Sequence, residues 1–126
     1  MTEFWQNHFS TGLDYANGGR TGFFTSLAVD PTGGTALGAT NDSSIPVAIP
    51  SPNTVSLYGT TASTINVSSN GFITFGVDGN SNETIVDHFS KKRIAVLFDD
   101  LDPAGGSISY RVLADRIAVT WQNVKE

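Results

Sequence analysis

The sequence predicts an all-β fold, an antiparallel β-sandwich of jelly-roll-like character, on three observations. Apolar residues alternate with polar ones or come in runs of four or five, and helical spacing is nearly absent. Gly or Pro interrupts every candidate segment longer than about ten residues. Short apolar segments recur between turn signals, as they do in sandwiches and barrels.

The candidate strands, in order, are Phe23 to Val29, Pro46 to Ile49, Thr54 to Tyr58, Thr64 to Ser68, Phe72 to Val77, Arg93 to Phe98, Ser107 to Leu113 and Arg116 to Trp121. Residues 1–126 read as one domain, with 1–53 as a loop-rich amino-terminal arm. Within that arm, Asp30 to Pro52 is rich in Gly, Thr, Ser and Pro. Pro46, Pro50 and Pro52 suit an edge and not a central strand, because proline cannot donate to a ladder.

Two hairpins can be given a register from their apolar faces, since a slip of one residue turns every side chain over. A three-residue loop, Ser69-Asn70-Gly71, pairs Val67 with Ile73 and Ile65 with Phe75, leaving Asn66 opposite Thr74 on the other face. A two-residue loop would set Ile73 and Phe75 against Ser68 and Asn66. The longer loop is a type I turn closed by a bulge, and its last residue takes positive φ, which Gly71 supplies. In the second hairpin, an Ala114-Asp115 turn pairs Val112 with Ile117, Tyr110 with Val119 and Ile108 with Trp121, assigning all six to one buried face.

Composition narrows the function. The charged fraction is 15% against a usual ~25%, so hydroxyls and amides make the surface polar, a flavour common in secreted β-modules and in virion or fibre proteins. A net charge of −5 with seven Lys plus Arg lacks the clustered basic footprint that a nucleic-acid backbone requires. Lys91-Lys92-Arg93 reads as a solvated lead-in to a strand. With no Cys there is no disulfide framework, thiolate nucleophile or Cys-based zinc site. The longest apolar run, Ile94 to Phe98, falls far short of the ~20 residues that cross a bilayer. The amino end shows no basic region followed by an apolar stretch, so no signal peptide is expected.

Three segments together carry a resemblance: "SLYGTTASTINVSSNGFITFG", "RIAVLFDDLDPAGGSISYR" and "VTWQNV". Leu57-Tyr58-Gly59, Val67 to Gly76, Ile94 to Asp102, Tyr110-Arg111 and Thr120 to Val124 follow one another as in the nidogen-like β-modules of large secreted or surface proteins. The resemblance spans roughly Val55 to Val124. Phe98 stands where those modules usually carry Trp. The modules also continue through further strands, whereas this chain stops at Glu126. A sandwich short of strands exposes an unpaired edge. Either the amino-terminal sixty residues cover it, a partner chain completes the sheet, or the chain is a piece of a longer polypeptide. The last two together are expected, with a protein partner or self-assembly along a sheet edge. The resemblance implies an extracellular or surface location and work by contact rather than catalysis.

Candidate sites are few. Asp99, Asp100 and Asp102 close an apolar strand and precede Gly105-Gly106. Carboxylates there can contribute to a Ca²⁺ site of about six to eight oxygens, or can accept backbone N–H groups and shape the turn. The loop "DGNSNET" starts like a calcium loop at Asp78, Asn80 and Asn82, but has Glu83 where Gly is needed and Phe89 where a bidentate Glu is needed, so it reads as a polar loop. His8 and His88 are isolated, and no nucleophile elbow or phosphate-cradling loop is present, so no enzyme is expected. Trp5 and Tyr15, with Phe4, Phe23 and Phe24, are either sugar-binding aromatics or anchors that dock the first segment. Sequons occur at Asn41, Asn66 and Asn82.

These readings favour a non-enzymatic surface module for adhesion, matrix contact or assembly. A structural subunit of a filament, fibre or virion and a carbohydrate-binding module are the alternatives.

Overall fold

The computed structural model describes residues 13–14, 20–21, 34–76, 79, 81–114 and 116–126. The described residues form an antiparallel all-β sandwich with one short helix. In order, the strands are β1 (Leu13–Asp14), β2 (Arg20–Thr21), β3 (Thr35–Ala36), β4 (Ser44–Ala48), β5 (Val55–Leu57), β6 (Thr60–Ala62), β7 (Thr64–Ser68), β8 (Phe72–Phe75), β9 (Arg93–Ala95), β10 (Ser107–Val112) and β11 (Ile117–Gln122). The helix, α1 (Ile85–Ser90), precedes β9. A four-stranded sheet runs β4-β7-β8-β9 and a three-stranded sheet runs β11-β10-β3, while β5-β6 and β1-β2 are separate pairs.

The two sheets bury a common core of Val47, Ile49, Ile65, Val67 and Phe75 on one side and Ile108 on the other, with Tyr110, Ile117, Val119 and Trp121 packed against it. The β5-β6 pair adds Val55, Leu57 and Ala62. Trp121 Nε1 donates to Ser68 O at 2.9 Å, a direct tie from the smaller sheet to the larger.

Both hairpins have the registers that face matching predicts: Ile65 opposite Phe75, Asn66 opposite Thr74 and Val67 opposite Ile73, then Ile108 opposite Trp121, Tyr110 opposite Val119 and Val112 opposite Ile117. Alternation decides both, because one face of each hairpin lies on the core. Burial along the second is uneven: Ile108 is buried, Tyr110 is half-buried and Val112, at the turn end, is 39% exposed.

Pro46 sits in β4, at the edge of the larger sheet, opposite Asn66. Ser69 N donates to Ser43 O and Ile49 N donates to Ser63 O. In this ladder the odd-numbered residues of β4 therefore face β7, and Pro46's missing N–H falls on the outside, where nothing is lost.

Several elements differ from expectation. The strand expected over Arg93 to Phe98 ends at Ala95, because Val96 N and Leu97 N both turn inward to donate to Gly71 O, and Phe98 has φ +57. The expected strand from Thr54 ends at Leu57, and Tyr58-Gly59, with φ +46 and +77, turns the chain into β6. Both central residues are left-handed, the type I′ pattern whose twist suits a two-residue hairpin. Helix α1 is short and lacks a long apolar stripe, so its period is invisible. Its local signal is Thr84, which accepts from Asp87 N at 3.1 Å and shares a hydrogen bond with the Asp87 carboxylate, a variant of the capping box. The Phe23 to Val29 candidate lies outside the described residues.

Candidate functional site

Both faces of the larger sheet are covered, and the second cover holds most of the polar chemistry. Phe72, Thr74, Asn66, Ser68 and Arg93 project from the face opposite the main core, given the β7-β8-β9 pairings. All five are buried. The α1 helix and the loops around residues 81–84 and 97–101 lie over them.

Arg93 anchors this layer. Its guanidinium sits 4.5 Å from the Phe72 ring centroid and 5.0 Å from that of Phe98, while Nη2 donates to Asp87 O at 2.6 Å and Nη1 to Asn82 O at 3.4 Å. The cation is thus desolvated between two rings, with one terminal nitrogen bonded to a carbonyl before α1 and the other to a carbonyl within it. This corrects the reading of Lys91-Lys92-Arg93 as a solvated run: one position of three faces inward, as strand alternation requires once β9 pairs with β8. Lys92 reaches the other way, its Nζ donating to Tyr58 O at 2.9 Å and Thr60 Oγ1 at 2.6 Å. His88 stacks edge-on against Phe98, with centroids 4.8 Å apart.

The Ser69-Asn70-Gly71 tip does more than set register. Asn70 is fully buried. Its Nδ2 contacts three acceptors, Ser81 O at 2.8 Å, Glu83 Oε2 at 2.8 Å and Asp42 Oδ1 at 3.2 Å. Its Oδ1 accepts from Leu101 N at 3.0 Å and Ser69 Oγ at 3.3 Å. One amide thus joins the turn before β4, the loop before α1 and the acidic turn. Gly71, at φ +76, lies under Leu97, and a Cβ there would come 2.5 Å from Leu97 Cβ. The "DGNSNET" loop, read as a plain polar loop, is held at Ser81 and Glu83 by this amide.

The acidic turn is exposed at Asp99, Asp100 and Asp102. Asp99 Oδ1 accepts from Asp100 N at 3.0 Å and Asp102 Oδ1 accepts from Ala104 N at 2.8 Å, the bonds of turn-shaping carboxylates. The Asp102 backbone pairs in both directions with Lys125. Among the described residues no three His, Asp or Glu side chains converge as a metal-ligand set. A small cleft of about 140 Å³ lies between the β10-β11 turn and the segment before β5, lined by Ile49, Val55, Val112, Leu113 and Ile117 among others. That volume is below the ~300 Å³ from which ligand pockets usually start. Trp5 and Tyr15 lie outside the described residues.

Residues 14–125 match the profile of the family described as NIDO related. The chain belongs to the NIDO-related family. The match covers most of the 126 residues and includes the hairpins and acidic turn on which the nidogen-like resemblance rests. No curated protein and no solved structure matches the chain.

What this NIDO-related module presents to solvent is apolar in places. Ile85, Val86 and Phe89 of α1 are 70%, 75% and 81% exposed. Tyr58 is 81% exposed at the left-handed tip of the β5-β6 hairpin, and Lys92, two residues after α1 ends, fastens that tip through its carbonyl. In the sequence Tyr58 reads as a strand end and as part of the nidogen-like resemblance, and nothing there marks it, Ile85 or Val86 as exposed. Among the described residues no helix is long and apolar enough to cross a membrane.

Proposed function

We propose that the chain is a non-catalytic extracellular β-module that works by surface contact, in adhesion or matrix assembly. The observation that carries this reading is the set of large apolar side chains on α1 and at the Tyr58 turn. Side chains of that size cost free energy in water and mark contact surfaces when they cluster. Their backbone supports are also well braced: α1 is capped at Thr84, and the Arg93 guanidinium bonds the Asn82 carbonyl before it and the Asp87 carbonyl within it. A rigid platform bearing aromatic and aliphatic tips suits recognition of another surface better than chemistry.

Beads coated with the chain are expected to adhere to at least one member of a panel of immobilised extracellular-matrix proteins. Replacing Ile85, Phe89 and Tyr58 together by Ser is expected to abolish that adhesion while leaving the melting temperature unchanged. Equal adhesion by the triple variant, or adhesion to none of the panel, overturns the reading. Binding on a glycan array by the same beads would instead favour the carbohydrate-binding alternative.

A further inference from the structure

The free edges of the two sheets are not alike. At one end of the larger sheet, β4 carries Pro46 with its missing donor turned outward. At the other, β9 is three residues long and begins with buried Arg93. In the smaller sheet β3 has two residues. Short strands, Pro and charge are the usual means of protecting an edge from another strand. The last edge, β11, has none of them: Ile-Ala-Val-Thr-Trp-Gln is six residues long, uncharged and free of Pro and Gly.

The register fixes which groups this edge presents. Leu113 N donates to Arg116 O, so in the β10-β11 ladder residues 116, 118, 120 and 122 bond to β10, and 117, 119 and 121 alternate with them. The backbone N–H and C=O groups of Ile117, Val119 and Trp121 therefore point away from β10, and among the described residues no strand lies on that side.

We propose that a second copy of this chain pairs there, β11 against β11, antiparallel about a two-fold axis through Val119. The inference rests on the reading of the chain as a contact module and names one partner and the surface it uses. The sequence of β11 is self-complementary in that arrangement. Val119 meets its own equivalent, and Ile117 meets Trp121 twice, all three as hydrogen-bonded pairs, giving about six new backbone hydrogen bonds. A β-branched residue opposite an aromatic one is a favourable cross-strand pair. On the other face Ala118 lies opposite Thr120, two small side chains. Continuing outward, Arg116 faces Gln122, so no like charges oppose each other. The isologous contact closes on itself and makes one six-stranded sheet from two three-stranded ones.

The test uses charge placed on the outer face, away from the core. Ala118→Lys with Thr120→Lys sets like charges directly opposite each other in the paired state, and Ala118→Glu with Thr120→Glu does the same with the other sign. Sedimentation equilibrium at micromolar concentration is expected to give twice the 13.4 kDa chain mass for the unaltered chain, a monomer for each charged variant alone, and a dimer for their equimolar mixture. Because the chain has no Cys, a mixture of Ala118→Cys and Thr120→Cys chains supplies a second readout, expected to cross-link between the two kinds of chain under mild oxidation. An unaltered chain that is monomeric overturns the proposal, as does a dimer that both charged variants keep. A monomer that still adheres to matrix proteins removes only this pairing, and a dimer that adheres to nothing removes only the contact function.

Discussion

Replacing Asn70 by Ala tests whether the hairpin tip is a structural hub. The truncation leaves Leu101 N–H without its acceptor in a buried position, at a cost of about 1–3 kcal/mol. The acceptors Ser81 O and Glu83 Oε2 are partly buried, so water replaces much of what they lose. Their two bonds contribute about 1 kcal/mol each. The sum is about 3–5 kcal/mol, and for a chain of 126 residues each kcal/mol moves the melting temperature by roughly 4 °C. Thermal melts followed by circular dichroism are therefore expected to shift down by about 12–20 °C. Asn70→Asp carries a further signature. It removes the donor and sets a carboxylate beside Glu83 and Asp42, and both burial and like charge raise its folded pKa above the unfolded ~3.9. Its penalty is full above that raised value and fades as pH falls towards the unfolded one. The Asp variant should thus regain stability relative to wild type in acid, whereas the Ala variant should not. A loss under about 0.5 kcal/mol for Asn70→Ala, the ordinary range of surface substitutions, would refute the hub.

Three further outcomes follow from the same layer. Gly71→Ala places a Cβ against Leu97 at positive φ, and strain plus overpacking should lower the urea-unfolding free energy by about 2–4 kcal/mol. Arg93→Lys keeps the charge but loses the planar fork held between Phe72 and Phe98, and a loss of about 2 kcal/mol is expected in the same assay. Asn66 is buried and its Nδ2 donates to Gly76 O at 2.7 Å, so mass spectrometry of folded protein secreted by a glycosylating host should find that sequon bare. A glycan at Asn66 in the folded fraction would contradict the burial.

The sequence made the sheet frame legible wherever alternation alone decides it. Ile65, Val67, Ile73 and Phe75 must share a face, and only one loop length lets them, so the β7-β8 register could be read directly. The same logic gave β10-β11 in spite of an Ala-Asp turn. What lies outside the frame depends on tertiary partners. Six residues are too few for helical periodicity to show in α1, and only the Thr84-Asp87 cap betrays it. Arg93 belongs to a basic run, and nothing local says that the Phe72 and Phe98 rings will enclose one of its three cations. Ser69-Asn70-Gly71 reads as a complete turn, so its second duty of receiving Ser81, Glu83 and Leu101 has no local signature. Strand β9 ends early for a related reason: its apolar continuation, Val96-Leu97-Phe98, is bent over that tip by two bonds to Gly71 O. The exposed residues of α1 and Tyr58 resemble core residues in type, and only the fold shows which side they face.

The bond from Trp121 Nε1 to Ser68 O also makes the protein its own optical gauge. The chain has two tryptophans, Trp5 and Trp121, so Trp5→Phe leaves a single emitter whose indole bridges the two sheets. Its emission would then follow the gap between the sheets, separately from the backbone signal of the strands. Sliding or parting of the sheets, under denaturant or under load from a bound surface, would become visible as a spectral shift before the ladders themselves come apart.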